Sequence, residues 1–309
     1  MHSIRPQLAL AAGLGSAVSL AGAGWLGWLQ PRRSWPAATG WHRIPPPLRA
    51  SIGGPLWTHA SAPSVDWLGH STMIVEWAGR RLVLDPHVRG HCTITRRILA
   101  PPIELAALEP VDAVLLSHAH FDHLDPRSLR ALLDRPQPPR LVVPSGTEAF
   151  VPRRWRRHIT TLAIGESTRV GELGIEATPA IHGGGRFHPF KSGLAVGFAI
   201  RRRDDVLFYA GDTALGPHID AVAQQHRPRA AILPIGAYLP RWPMRGYHMS
   251  PDDAVEAARR LGCEIVVPCH FGTFVLSLDR PWDALPRFAE RCAAAGVGWR
   301  MPRFLAASP

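Results

Sequence analysis

Lysine is nearly missing from this chain: of 35 basic residues, Lys191 alone is not arginine. Ala, Gly and Pro are abundant as well, so part of the net charge of +11 reads as compositional bias and does not by itself require a nucleic-acid surface. Cysteine is scarce too. The four present, Cys92, Cys263, Cys269 and Cys292, show no C-x-x-C spacing, which argues against a zinc knuckle or a thioredoxin-like site. No segment repeats, and the 31 Pro and 28 Gly lie between apolar runs without a period, which excludes a collagen-like or low-complexity chain. Acidic residues are absent before Asp66, a stretch that holds Arg5, Arg32, Arg33, Arg43 and Arg49. The remainder carries 30 basic and 24 acidic residues, a modest surplus consistent with an anionic partner. What is present, 46% hydrophobic and 19% charged residues over 309 positions, suffices for an ordinary folded core.

Leu8 to Leu29 is uncharged for 22 residues, and about 20 helical residues span a bilayer core. Trp25 and Trp28, followed by Arg32 and Arg33, suit an interfacial belt, whereas Ala21-Gly22-Ala23 resembles a signal-peptidase site. Residues 1 to 30 are therefore expected to be a membrane anchor or a signal-like segment. The protein would be membrane-associated with its side open, or exported if the segment is cleaved. Residues 31 to 64, rich in Pro and Arg, read as a linker or strap, and residues 65 to 309 as the folded domain.

Within that domain, β-like runs occur at Ser64 to Leu68, Thr72 to Trp77, Arg81 to Asp85, Val111 to Ser117, Arg140 to Val143, Gly174 to Pro179, Gly193 to Arg201, Val206 to Ala210, Ala230 to Pro234 and Ile265 to Cys269. Asp125-Pro126 supplies an N-cap and a first-turn proline for a helix to Leu133. Further helices fit Ser250 to Leu261 and Trp282 to Ala295. Two strand-rich halves, each followed by helices, predict a layered α/β protein with helices outside.

The chemistry-bearing signal is the run Ser117-His118-Ala119-His120-Phe121-Asp122-His123-Leu124-Asp125, which packs four metal-ligand side chains into six residues between a strand and a helix. On a turn, His118 and His120 can face one way and Asp122 and His123 the other, offering ligands to two ions. A single buried histidine is ordinarily a core residue; this density is not explained by packing.

This run and its surroundings resemble the metallo-β-lactamase superfamily over roughly Val65 to Phe274, which implies a four-layered αβ/βα sandwich with the metal site at the ends of its two sheets. The resemblance implies His118, His120, His182 and Asp212 for one metal and Asp122, His123, Asp212 and His270 for the other, with Asp212 bridging. The donors suit two Zn2+ per chain, with iron or manganese also admissible. Leu233-Pro234-Ile235-Gly236-Ala237-Tyr238, Tyr247-His248-Met249-Ser250, Trp67-Leu68-Gly69-His70-Ser71-Thr72 and His270-Phe271-Gly272-Thr273-Phe274 are similar to the N-acyl-phosphatidylethanolamine-hydrolysing phospholipase D branch. By that resemblance a metal-bridged hydroxide attacks a lipid phosphodiester. Asp122 and His248 are the catalytic candidates, Asp122 from within the ligand set and His248 as a substrate-binding or proton-donating group outside it. His248 also reads as a plain neighbour of the Ser250 helix cap. The glycines Gly183-Gly184-Gly185 after His182 and the short tail after Phe274 depart from the branch, and both bear on the substrate pocket.

Other readings of the same site are a lactonase or carboxyl-ester hydrolase resembling the ascorbate-phosphate lactonases, a nuclease, and a non-catalytic membrane-tethered binding protein. The nuclease reading is weakened by the short tail, and a binding protein should have lost a ligand. The expected partner is a lipid or small-molecule phosphodiester; nucleic acid is not expected, and relatives in the branch suggest a homodimer. Asp85 and His70 each read as orienting a ligand or capping a turn, and His87, His91 and His188 as solvated or supporting histidines. Cys269 is expected to face the core, and Arg153 to Arg157 to be a solvated helix end.

Overall fold

The structure, a computed structural model, describes residues 54–58, 62–99, 102–186 and 193–307. The N-terminal hydrophobic run at residues 8–29 and His188 lie outside the described residues. Among the described residues no helix is long and apolar enough to cross a membrane.

β1 (Ser64–Gly69), β2 (Thr72–Trp77) and β3 (Arg80–Leu84) form an antiparallel meander. A two-stranded hairpin of β4 (His91–Cys92) and β5 (Thr95–Arg96) stands apart from it. The chain then re-enters the sheet in parallel through β6 (Ala113–Leu115), crosses α1 (Pro126–Leu133), and adds β7 (Arg140–Pro144) and β8 (Ile159–Leu162). The second half repeats this plan. An antiparallel set of β9 (Ser167–Val170), β10 (Leu173–Pro179), β11 (Val196–Arg202) and β12 (Asp205–Tyr209) is extended in parallel by β13 (Ala230–Pro234) and β14 (Ile265–Cys269). The helices α2 (Pro217–His226), α3 (Pro251–Leu261) and α4 (Ala284–Ala295) accompany it. The last strand, β15 (Arg303–Phe304), returns to the first sheet beside β1, giving a seven-stranded and a six-stranded sheet.

Period-two alternation explains the layering. In β3, β6 and β7 the residues Leu82, Leu84, Ala113, Leu115 and Val142 join the main core, while Val83, Val114, Leu141 and Val143 point the other way. There they meet Leu129, Leu132 and Leu133 of α1 and Trp155. The six-stranded sheet covers the inner face, and α2, α3 and α4 pack outside it through Ile219, Val222, Ala254, Ala258 and Phe288. The result is the expected four-layered αβ/βα metallo-β-lactamase sandwich.

The capping signals act as read: the Asp125 carboxylate accepts from Ser128 N at 2.8 Å, and Ser250 and Asp253 close a reciprocal capping box on α3. Several spans differ from the sequence expectation. The run Val111 to Ser117 pairs only over Ala113–Leu115, because Ser117 N turns from the ladder to a side-chain carboxylate. The strand expected from Gly193 starts at Val196, since Leu194 N bonds Ser145 O across to the other half. β8, β9, α2 and β15 carry no clear sequence signal: the strands are two to four residues of mixed polarity, and α2 buries few apolar residues. The arginine run is a 3-10 helix, Arg153–His158, that buries Trp155 under Arg154, 4.2 Å from its ring, and leaves the charges outward. Cys269 faces the core, as the alternation on its strand requires.

Candidate metal centre

The clustered histidines follow from where strands stop. β6 releases the chain into a loop that His123 N and Leu124 N close by donating to His120 O at 3.2 and 2.9 Å, which keeps the four ligand-type residues in one tight turn. His182, Asp212 and His270 come from the loops that follow β10, β12 and β14. The loop after β12 can press against the first sheet because Gly211 lacks a side chain. A Cβ there would lie 2.7 Å from Ser117 Cβ, and its φ of +60° suits glycine.

Tertiary packing brings all seven expected side chains together. His118 Nε2 and His182 Nε2 lie 2.9 and 3.1 Å from His120 Nδ1. Opposite them, His123 Nε2 and His270 Nε2 are each 3.5 Å from Asp122 Oδ2. Asp212 sits between the groups: its Oδ2 is 3.1 Å from His123 Nε2, 3.0 Å from His270 Nε2 and 3.8 Å from His182 Nε2. His248 borders the cluster, with Nδ1 4.0 Å from Asp212 Oδ2 and its ring 4.9 Å from His182 and 5.2 Å from His270. It is buried against the site.

Electrostatics divide the donors. Burial alone would raise the Asp122 and Asp212 carboxyls, but His123 beside both, with His270, holds them well below the usual range. Burial likewise opposes protonation of His123 and His270, yet the carboxylates win, raising His123 well above its ordinary value and His270 to about 9. Burial keeps His118, His182 and His248 neutral, and depresses His120 to about 3. The site thus offers ionised carboxylates seeking positive charge beside neutral imidazoles with free lone pairs. His120 Nε2, Asp212 Oδ1 and His270 Nδ1 are buried without a hydrogen-bond partner. Such orphaned atoms are costly in a folded interior unless something binds them. The donor set therefore fits divalent cations. The distances gather His118, His120 and His182 into one candidate group and His70, Asp122, His123 and His270 into another.

Supporting residues hold this arrangement. Asp85, fully buried, accepts from Ser117 N at 2.7 Å, Ser117 Oγ at 2.5 Å, Tyr209 OH at 2.5 Å and His123 Nδ1 at 2.7 Å. His70 reaches Asp122 Oδ2 through Nε2 at 3.0 Å. His70, Asp85 and His270 all have φ between +40° and +58°, a conformation costing roughly 1–3 kcal/mol in a non-glycine residue. Backbone bonds secure it: His70 N donates to Thr273 Oγ1 and His270 N to His70 O. His87 is buried against Phe274 rather than solvated, and His91 is exposed on the hairpin. Sequence reasoning missed Tyr209, Thr213 and His218. A phenol inside the apolar run Val206 to Ala210 was the one available signal, since a buried hydroxyl needs a partner.

A family model described as a beta-lactamase superfamily domain matches residues 80–271. An uncharacterized protein of Mycobacterium tuberculosis is 36% identical over 235 residues, 72% of this chain and 62% of that protein. N-acyl-phosphatidylethanolamine-hydrolyzing phospholipase D 1 of Caenorhabditis elegans is 29% identical over 225 residues, 67% of this chain and 63% of that one. The chain thus spans a little under two thirds of the length of these curated relatives. A solved metallo hydrolase of the archaeon Ignicoccus hospitalis superposes with a TM-score of 0.58 at 23% identity, over 78% of this chain and 95% of that one, a likeness of fold. Because the matched residues make up more than half of the chain and take in all seven expected ligand side chains and His248, the chain belongs to the beta-lactamase superfamily and carries its fold.

Proposed function

We propose that the protein is a binuclear metal-dependent hydrolase of phospholipase D type, acting on N-acyl phospholipids or similar lipid phosphodiesters. His118, His120 and His182 would hold one ion and Asp122, His123 and His270 the other, with Asp212 shared. Two such ions, zinc by the donor chemistry, would supply Lewis-acid charge and a water acidic enough to deprotonate near neutral pH. The chain's own contribution is positional. Asp85 fixes His123, Tyr247 O holds His182 Nδ1 at 2.9 Å, and the buried loops limit access of bulk water.

The observation that carries the reading is the seat of His248: an imidazole outside the seven-residue set, buried at its edge with Nδ1 unpartnered. A phosphodiester expels an alkoxide that needs stabilising, and the neutral imidazole of His248 beside Asp212 is placed to donate an N–H hydrogen bond to it. The likeness to the nematode phospholipase supports a lipid phosphodiester as substrate. The test is a panel of N-acyl phospholipids, a simple aryl phosphodiester and several lactones, offered to the metal-replete protein. Turnover of the phospholipids supports the proposal, while exclusive turnover of lactones replaces it with the ester-hydrolase reading. The membrane reading of residues 8–29 is tested separately: deleting residues 1 to 30 should move the protein from the membrane to the soluble fraction with activity retained.

A further inference from the structure

The loop that carries His182 also reaches back over the loop that carries four of the clustered residues. Arg186 Nε donates to Ala119 O at 2.6 Å, and its Nη2 donates to Leu124 O. Ala119 lies between His118 and His120, and Leu124 directly follows His123, so one guanidinium joins both ends of the run. Its face stacks on Phe121, 4.1 Å from the ring centroid, in the middle of that run. A backbone bond repeats the link, Ala119 N to Gly184 O at 2.9 Å. Gly184 makes this approach sterically feasible: a Cβ there would stand 2.0 Å from Leu194 C and 2.2 Å from Gly193 O. The glycine run after His182 therefore has a packing reason, since it lays the His182 loop flat between the 118–124 loop and the start of β11.

We infer that Arg186 is a positioning residue of the metal centre, fixing the spacing of His118 and His120 against Asp122 and His123 by bonding the carbonyls at both ends of their loop. The chemistry asks for arginine. Two carbonyls at the two ends of a tight loop match two N–H vectors of a rigid planar fork, and the same plane offers a face to Phe121. An ammonium on a flexible stem supplies the charge but neither the fork nor the face. Burial lowers the Arg186 guanidinium to about 10, with Asp125 and Asp122 opposing the fall, so it stays charged at neutral pH.

The inference rests on the metal-centre reading, and the experiment separates the two. Zn2+ affinity and the Co2+ d–d spectrum are measured for the native chain, Arg186→Met, Arg186→Lys and Phe121→Leu, with kcat and KM followed in parallel. If the native chain takes up no metal, the centre itself fails. If it does, Arg186→Met and Arg186→Lys should both weaken metal binding by about 10- to 100-fold and alter the cobalt spectrum. Because Phe121 is partly exposed, Phe121→Leu should leave the fold intact and cost about 2- to 5-fold. That variant keeps the idea testable even if the arginine replacements fold poorly. Native metal affinity and spectrum in the folded variants, with only KM raised, would overturn the proposal and make Arg186 a substrate contact. Full rescue by lysine would also overturn it, leaving charge alone as the requirement.

Discussion

On the side of the seven-stranded sheet, His123 is held by the buried carboxylate of Asp85, which also gathers Ser117 and the Tyr209 phenol from the opposite sheet. On the side of the six-stranded sheet, His182 leans on the main-chain oxygen of Tyr247. Its loop is pinned there through a neutral relay: Ile181 N donates to Thr213 Oγ1 at 2.9 Å, and Thr213 Oγ1 pairs with His218 Nε2 at 2.9 Å. A charged anchor with four donors is rigid and makes its histidine a more basic ligand. A carbonyl anchor is uncharged and supplies one acceptor. Tyr247 is the neighbour of His248, so the uncharged anchor and the imidazole proposed to meet substrate belong to one segment. The first sheet holds its histidine through a carboxylate, and the second through main-chain and hydroxyl contacts.

That contrast breaks most severely at the residue common to both sides. Asp212→Ala should lower occupancy of both ions and activity by orders of magnitude, read by metal analysis and hydrolysis rate. Retention of both ions would remove the shared-carboxylate arrangement. On the side of the six-stranded sheet, His248→Ala should keep the metals and cut kcat by roughly 10²- to 10⁴-fold. The loss should shrink for a nitrophenyl phosphodiester, whose leaving group needs no proton. An equal loss on good and poor leaving groups would leave His248 as a binding residue only.

On the rigid side, Asp85→Asn should weaken metal binding by about 10- to 100-fold while sparing the fold, as measured by isothermal titration and thermal melting. If the variant binds metal normally, the charged anchor is dispensable and the two sides are alike. The smallest effect concerns the neutral relay. Burial lowers His218 to about 4 from 6.5, against a weaker pull from Asp220. The folded chain therefore binds this proton less readily than the unfolded chain does. Its contribution is complete above pH 6.5 and declines as pH falls towards about 4, a loss on the order of 1–3 kcal/mol. Urea melts of the metal-free chain at pH 7.5 and 4.5 should show that His218→Gln loses less stability across this interval than the native chain. Identical losses would mean the relay does not sense its protonation.

Much of the frame was legible beforehand because its signals are local. Short apolar runs mark β2 and β3, alternation marks β10, an Asp-Pro pair starts α1, and a serine cap starts α3, each within a few residues of the structure. Signals failed where an element owes its existence to neighbours: β15 is two residues that pair only because the chain end returns to β1. The strand expected at Val111 was trimmed for a related reason, since Asp85 outcompetes the ladder for Ser117 N.

By itself the sequence determined the density of His118, His120, Asp122 and His123, because ligands that close in the chain must share one loop whatever the fold. It also determined the order of the later residues, and the resemblance nominated His182, Asp212, His270 and His248 among 16 histidines and 24 acids. Only the tertiary structure decided that these meet. Loops after β10, β12 and β14 converge on the loop after β6 because two sheets stack face to face with those ends together. The same stacking set Asp85 under His123 and carried Arg186 across to Ala119 and Leu124. An isolated aspartate or arginine has no local signature of such a role, since its partners lie 38 and 62 to 67 residues away and are chosen by packing alone.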